Sequence, residues 1–426
     1  MTDLHLQSAT DAAAAIAAGK LTCEALVGAC LERIEAREPE IRAWTCIDAD
    51  AALAAARAAD REPPRSRLHG IPIGVKDVID TADMPTEYGS PIYQANRPSA
   101  DAACVAQVRE LGAIVLGKTV TTEFATRHPN KTRNPRNPQH TPGGSSSGSA
   151  AAVADSMVPI AFGTQTTSSI VRPAAFCGVV GYKPTFNFIN RAGLKFLSES
   201  LDTIGVLTRT VPDAAMIVEA LSAREPAPFE AAAGLKPRIG FCRTPYWKQA
   251  DACTREALEG AVPRLARAGA QIEDVELHAE FAQIAEAQVR MSAFEFYRAL
   301  TYERTRFPQL ISESLTARLR GGGGVTRARY DETHALAERC RARLDDIYRN
   351  YDVLISPSAV GEAPAGLEST GDPLFGITWT LMLGPAITLP VFTGPSGLPL
   401  GLQVTGPRAS DARTLVVAEW IRSALN

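Results

Sequence analysis

The sequence predicts an α/β fold built on one large sheet, and three observations carry that prediction. Segments with helical periodicity alternate with short β-branched runs along the chain, the pattern of a sheet fed by crossover helices. The 426 residues are 45% hydrophobic and 21% charged, enough to bury a large core. No internal repeat or long linker divides them. The chain is therefore read as a single domain, residues 1–426, in four stretches: a helical segment (1–62), a core (63–224), pocket-forming helices and loops (225–350), and closing strands with a helix (351–426).

Each element follows in order. "SATDAAAAIAAGK" opens on a Ser/Thr/Asp cap signal and ends at Gly19, and "TCEALVGACLERIEAREPE" puts Leu26, Cys30 and Ile34 on one helical face. A third helix over "DADAALAAARAADRE" stops at Pro63 and Pro64. "GIPIGVKDVID" (70–80) reads as a buried strand that runs into the pair Lys76–Asp77. "SADAACVAQVRELGAIVLGKT" is a helix followed by a strand, and three prolines make 131–144 a loop. "AAAVADSMVPIAFG" is a core helix leading into a strand. Beyond a Pro/Ala-rich break at 224–237 come the strand "RIGFCRT", the helix "DACTREALEGAVPRLARAGA" and the strand "QIEDVEL". "GGGGV" (321–325) reads as a mobile loop between helical stretches. "YDVLISPSA" and "AITLPVF" are late buried strands, and "DARTLVVAEWIRSAL" is the closing helix.

Composition excludes several function classes. A net charge of −3 without a basic arm argues against nucleic acid. No apolar stretch of about 18 residues is present to span a bilayer, and "MTDLHLQSATDAAAA" lacks the basic and apolar regions of a signal peptide. The eight cysteines include no C-x-x-C pair, so they read as reduced thiols of a cytoplasmic protein, with no metal centre expected. A homodimer is compatible with these features.

The chemistry concentrates in "HTPGGSSSGSAAAVADSMVPIAFGTQTTSSIVRPAAFCGVVGYKPT" (140–185). A flexible linker would not continue into a core helix and strand. A phosphate loop would need the Walker Lys or a strand leading into G-x-G-x-x-G, and neither is present. Gly144 to Gly148 formally match G-x-S-x-G, which would make Ser146 a nucleophile. That elbow must follow a strand, whereas "NPQHTPGG" precedes it, and the later histidines, His278 and His334, sit in charged helical surroundings. A serine can also be activated by a lysine whose charge is disfavoured by burial. Lys76, at the end of an apolar run, fits that role; it fits equally a salt bridge to Asp77.

The motifs together resemble the amidase signature family of Ser–Ser–Lys hydrolases. "GIPIGVKDVID", the serine-rich stretch, "SESLDTIGVLTRTVPDAAMI" and the closing "YDVLISPS", "GPAITLPV" and "GLPLGLQVTGP" carry the resemblance over almost the whole chain. The spacings, 69 residues from Lys76 to Ser145 and 24 from Ser145 to Ser169, are similar to those of the compact malonamidase-like bacterial amidases. The resemblance implies a large mixed twisted sheet covered by helices on both faces. It implies Ser169 as nucleophile, Lys76 as ultimate base, and Ser145 as a bridge entered through a cis Gly144–Ser145 bond. It further implies an oxyanion hole from the backbone N–H groups of Thr166, Thr167, Ser168 and Ser169, with supporting hydroxyls at Ser146, Ser147 and Thr164, and no cofactor.

Two departures from the pattern stand out. The usual wording resembles G-T-D-T-G-G-S-I-R, and Thr167 and Ser168 replace its two glycines, so the loop either keeps ordinary dihedrals or is reshaped. Arg172 follows the nucleophile by three positions instead of two. It could grip a carboxylate or ureido group of the substrate, or pair structurally with a residue such as Asp202. The expected function is hydrolysis of a small-molecule linear amide or related C–N acyl bond, the substrate being a small acidic or ureido-type amide. The alternatives are an amidotransferase A-type subunit delivering ammonia to a partner, and an amidase for aryl amides or carbamates. A non-catalytic binding protein on this scaffold would have lost a triad member, and none is lost. Trp247, Phe294, Phe296, Tyr297 and Tyr302 are candidates for the pocket wall or for plain core.

Overall fold

The N-terminal helices stand where the sequence placed them, and each begins at a side-chain cap. Ser8 accepts from Asp11 N–H, Thr22 from Ala25 N–H and Asp48 from Ala51 N–H, starting helices Ala9–Ala17, Cys23–Ile41 and Ala49–Ala59. The computed structural model describes residues 3–232 and 234–426.

Eleven strands form one mixed sheet: β1 (Trp44–Ile47), β2 (Pro72–Lys76), β3 (Ile114–Thr119), β4 (Ile160–Gln165), β5 (Val180–Lys183), β6 (Thr203–Thr208), β7 (Arg238–Cys242), β8 (Gln271–Val275), β9 (Val353–Pro357), β10 (Ala386–Thr393) and β11 (Pro399–Thr405). Their order is β1-β3-β2-β4-β6-β5-β10-β11-β9-β7-β8. β2 runs parallel to both β3 and β4, and β7 parallel to β8 and β9; the other pairings are antiparallel. The crossovers β2–β3 and β3–β4 require helices, supplied by Ala103–Glu110 and Ser147–Ala154.

Side-chain alternation along the strands feeds a core on each face. Ile160 and Phe162 of β4 pack into one cluster with helices Val211–Ser222 and Asp411–Leu425, whereas Ala161 joins another with Cys23–Ile41 and Ser147–Ala154. The helix Ser147–Ala154 is made of Ser, Gly, Ala and Val because almost every residue of it is buried.

One expectation is corrected. "GGGGV" is not a loop between helices: helix Glu313–Gly323 runs through Gly321 and Gly322. A Cβ on Gly322 would stand 2.1 Å from the Ala293 carbonyl, so glycine is what lets this helix lie against Ile284–Ala299. No helix among the described residues is long and apolar enough to cross a membrane.

Candidate active site

The two parallel strands β2 and β4 end on the same edge of the sheet, the edge where ligands of α/β sheets gather. Lys76 is the last residue of β2; Thr164 and Gln165 are the last two of β4. Lys76 is 0% exposed. Its Nζ lies 2.8 Å from the Ser145 hydroxyl and donates to Thr164 Oγ1 at 2.7 Å. Burial pushes the Lys76 ammonium well below the ordinary lysine range, and the attraction of Asp202 opposes that shift only in part. The adjacent Asp77 does not pair with Lys76. It turns to Lys118 on β3, at 3.7 Å.

The Gly144–Ser145 peptide is cis, as the resemblance implied. Ser145 is fully buried, and its carbonyl accepts from Thr122 N–H at 3.3 Å. Ser146 N–H donates to the Ser169 carbonyl at 3.3 Å, so the cis-serine loop and the loop carrying Ser169 are in contact. Ser169 is 8% exposed. A hydroxyl-to-hydroxyl contact between Ser145 and Ser169 is not among the hydrogen bonds of the described residues. The Ser146 hydroxyl lies 3.3 Å from both the N–H and the carbonyl of Thr164, and the Ser147 hydroxyl donates to the Val120 carbonyl at 3.4 Å. Of the three supporting hydroxyls, Thr164 alone reaches Lys76.

The loop between β4 and helix Val171–Cys177 keeps negative φ throughout 166–169, so Thr167 and Ser168 sit there with ordinary dihedrals. Gln165 Oε1 accepts from the N–H groups of Ile170 and Val171. The N–H groups of Thr166, Thr167, Ser168 and Ser169 have no partner among the described residues. Thr166 donates its hydroxyl to Asp202, whose second oxygen accepts from Leu197 and Ser198 N–H. Burial pushes the Asp202 carboxyl above its usual range despite those bonds.

Asp202 is therefore not the partner of Arg172. The buried Arg172 guanidinium donates to the carbonyls of Gly144 (2.7 Å) and Gly371 (2.9 Å) and to the Thr370 hydroxyl (3.1 Å). It ties the cis-serine loop to the 370–371 segment, and burial lowers its pKa to about 9.

Helix Ile284–Ala299 reaches the 166–169 loop through Gln288, which bonds to Thr166 and Thr167. A cavity of about 280 Å³ is lined by Thr126, Arg127, Val289, Ser314, Leu315 and Arg318. Val289 follows Gln288, and the Thr126 carbonyl accepts from Thr122, the residue that holds Ser145. Arg318 lies over the Phe296 ring at 4.3 Å and donates to Ser292. Neither Arg127 nor Arg318 forms an ion pair among the described residues. Of the aromatic candidates, Phe294 and Phe296 are buried in the core, Trp247 packs edge-on against Phe241, and Tyr302 is exposed. Sequence reasoning missed Gln288, Arg127 and Arg318. Gln288 had a signal: a polar residue on the apolar stripe Ile284, Ala287, Met291.

Comparison with known proteins agrees with this architecture. The Amidase family profile matches residues 25–415. The A-subunit of glutamyl-tRNA(Gln) amidotransferase from Oleidesulfovibrio alaskensis is 34% identical, covering 100% of this chain and 98% of the relative. Its counterpart from Solidesulfovibrio magneticus is 35% identical with the same coverage. Among solved structures, the peptide amidase of Stenotrophomonas maltophilia superposes with a TM-score of 0.82 at 30% identity, covering 98% of this chain and 96% of that one. A chain from a vestigial protein complex that bears on the origins of an s-triazine catabolic enzyme gives 0.90 at 26% identity, covering 98% of each. The chain belongs to the Amidase family, the amidase signature enzymes that act on C–N bonds.

Proposed function

We propose that the chain breaks an amide C–N bond through an acyl-enzyme on Ser169. The observation that carries this reading is Lys76: fully buried, touched by no carboxylate among the described residues, and set between the Ser145 hydroxyl and Thr164. A neutral lysine there has two N–H donors for Thr164 and a lone pair free for the Ser145 proton. As Ser169 Oγ bonds to the substrate carbonyl carbon, its proton passes to Ser145 and that of Ser145 to Lys76. The carbonyl π pair becomes an oxyanion facing the N–H groups of residues 166–169. When the C–N bond breaks, the proton returns through Ser145 to the leaving nitrogen, and water then releases the acid. The relay needs Ser169 to reach Ser145 in the substrate complex, where catalytic hydrogen bonds tighten.

Two settings share this chemistry. A free-standing amidohydrolase releases ammonia to solvent; an amidotransferase A-type subunit hands it to a partner. The Oleidesulfovibrio and Solidesulfovibrio relatives carry the name of that subunit, which favours the second setting. The alignment with the Oleidesulfovibrio protein spans 484 positions against 426 residues here, so that protein has segments this chain lacks. The cavity beside the site, with Arg127 and Arg318 free of carboxylates among the described residues, suits a substrate bearing a carboxylate, which both glutamine and a malonamate-like acid possess.

The test is an ammonia- or amine-release screen over glutamine, malonamate-like acids, ureido compounds, aryl anilides and carbamates, run on the chain alone and on its co-purified complex. Glutamine turnover that appears only in the complex supports the amidotransferase setting. Turnover of small acidic amides by the chain alone supports the hydrolase. Ser169→Ala abolishes either activity, and activity that survives it overturns the acyl-enzyme reading.

A further inference from the structure

Gln288 breaks an apolar stripe. Helix Ile284–Ala299 turns Ile284, Ala287 and Met291 into the core, and Gln288 lies fully buried among them. Its Nε2 donates to the Thr166 carbonyl at 2.9 Å and to the Thr167 hydroxyl at 3.0 Å, while its Oε1 is buried without a partner among the described residues. Leucine or methionine would fill the same space and leave no unpaired oxygen, so packing alone does not account for a glutamine here. From the other side, Thr380 on helix Leu374–Leu381 donates its hydroxyl to the Thr167 carbonyl at 2.6 Å. Gly376 on the same helix meets Ser168 so closely that a Cβ would stand 2.2 Å from its Oγ.

The planarity of the peptide gives these two bonds a meaning. In a trans peptide the carbonyl of one residue and the N–H of the next point in opposite directions from one rigid plane. Holding the Thr166 carbonyl therefore aims the Thr167 N–H, and holding the Thr167 carbonyl aims the Ser168 N–H. Both N–H groups are free of protein partners among the described residues.

We propose that Gln288 and Thr380 are positioning residues of the oxyanion loop, gripping successive carbonyls so that the N–H groups of Thr167 and Ser168 converge on the developing oxyanion. The two side chains supply from neighbouring helices the restraint on a loop that contains no glycine between Gln165 and Ser169. This proposal rests on the acyl-enzyme reading.

The test uses Gln288→Met, which keeps volume and apolar contact, and Thr380→Val, which keeps shape. Each is assayed for kcat, KM, melting temperature and binding of an alkyl trifluoromethyl ketone. Addition of Ser169 Oγ to that ketone turns its carbonyl π pair into an oxyanion while the serine proton passes through Ser145 to Lys76, so the adduct reports the hole directly. A misplacement of about 1 Å costs on the order of 100-fold. The expected result is a fall in kcat of about 10- to 100-fold, a matching loss of ketone affinity, and an unchanged KM. Thr167→Val, which removes only the hydroxyl bond, should fall less than Gln288→Met. Full kcat in both Gln288→Met and Thr380→Val, or ketone binding unaltered while kcat falls, overturns the proposal. Ser169→Ala separates the levels: if it stays active the acyl-enzyme reading fails, and if it is dead while both variants match wild type, only the positioning role fails.

Discussion

Two lysines buried one strand apart show how surroundings decide what a cation can do. Lys76 and Lys118 are both 0% exposed, on the paired strands β2 and β3. Lys118 lies 3.7 Å from Asp77 and donates to the Ile79 carbonyl and the Thr86 hydroxyl, both at 2.6 Å. Burial lowers its pKa to about 8 and raises that of Asp77 to about 6, so at neutral pH the two remain an ion pair. Lys76 has hydroxyls for neighbours and only the more distant pull of Asp202, and burial takes it well below its ordinary value. Desolvation acts on both residues. A carboxylate in contact makes one a structural tie, and its absence prepares the other as a base.

The largest expected effects separate the pair. Lys76→Met should lower kcat by about 10²- to 10⁴-fold, the contribution of a general base, without a comparable loss of melting temperature. Lys118→Met should do the reverse. It leaves the buried Asp77 without its cation, held only by backbone N–H groups such as that of Glu87, which costs about 3–5 kcal/mol of stability, while the activity of the protein that remains folded is kept. Denaturant melts and steady-state rates on both variants read this directly. The folded pKa of Lys118, about 8, lies below its unfolded value of about 10.4. The unfolded chain thus binds more protons in that window, and stability rises with pH across it. Lys76, lowered by burial as well, adds to the same slope, so the slope should weaken in either variant. Equal kinetic loss in both lysine variants would break the distinction.

Arg172 is a third buried cation and sharpens the rule. Its terminal nitrogens are engaged by two backbone carbonyls and a hydroxyl instead of a carboxylate, and at about 9 it remains charged at neutral pH. It holds the carbonyl of Gly144, the peptide group that carries Ser145. A charge-assisted hydrogen bond contributes about 1.5–3 kcal/mol, so Arg172→Ala should cost roughly 10- to 150-fold in kcat/KM, together with a lower melting temperature. The loss should be alike on neutral and carboxylate-bearing amides. A loss confined to carboxylate-bearing or ureido substrates would return Arg172 to the substrate site. Arg318→Ala on the same substrates is the matched control.

What was legible in the sequence follows the range of the forces involved. The cap signal at the first helix, the periodic face of Leu26, Cys30 and Ile34, the apolar run ending at Lys76 and the proline-rich loop at 131–144 are local signals, and the elements stand where those signals put them. The serine-rich stretch and the cis Gly144–Ser145 bond were legible through the motif. The glycine run at 321–324 misled because Gly322 and Gly323 answer to Ala293 and Tyr297 of a neighbouring helix, not to local flexibility. The partners of Arg172 lie 28, 198 and 199 residues away, and those of Gln288 more than 120. No local pattern records such contacts, which is why the loop and the cavity had to be read from the fold.

The smallest expected effect tests how Lys76 is held. Thr164 Oγ1, at 2.7 Å from Nζ, accepts a hydrogen bond from the lysine whether it is charged or neutral, but more strongly when it is charged. It therefore supports the protonated form against desolvation. Thr164→Val removes that support and keeps the shape of the side chain. The pKa of Lys76 should fall further, so the acidic limb of kcat/KM should move to lower pH. One hydrogen bond contributes about 0.5–1.5 kcal/mol net, which corresponds to a displacement of about one pH unit or less. On the plateau, where Lys76 is neutral in both proteins, the rate should fall less than about tenfold, because Ser145 still faces the nitrogen lone pair. The same substitution should leave the melting behaviour of the Lys118–Asp77 pair untouched. A limb that moves to higher pH would mean that Thr164 stabilises the neutral lysine, and the proton inventory proposed for the relay would then have to be reversed at that bond.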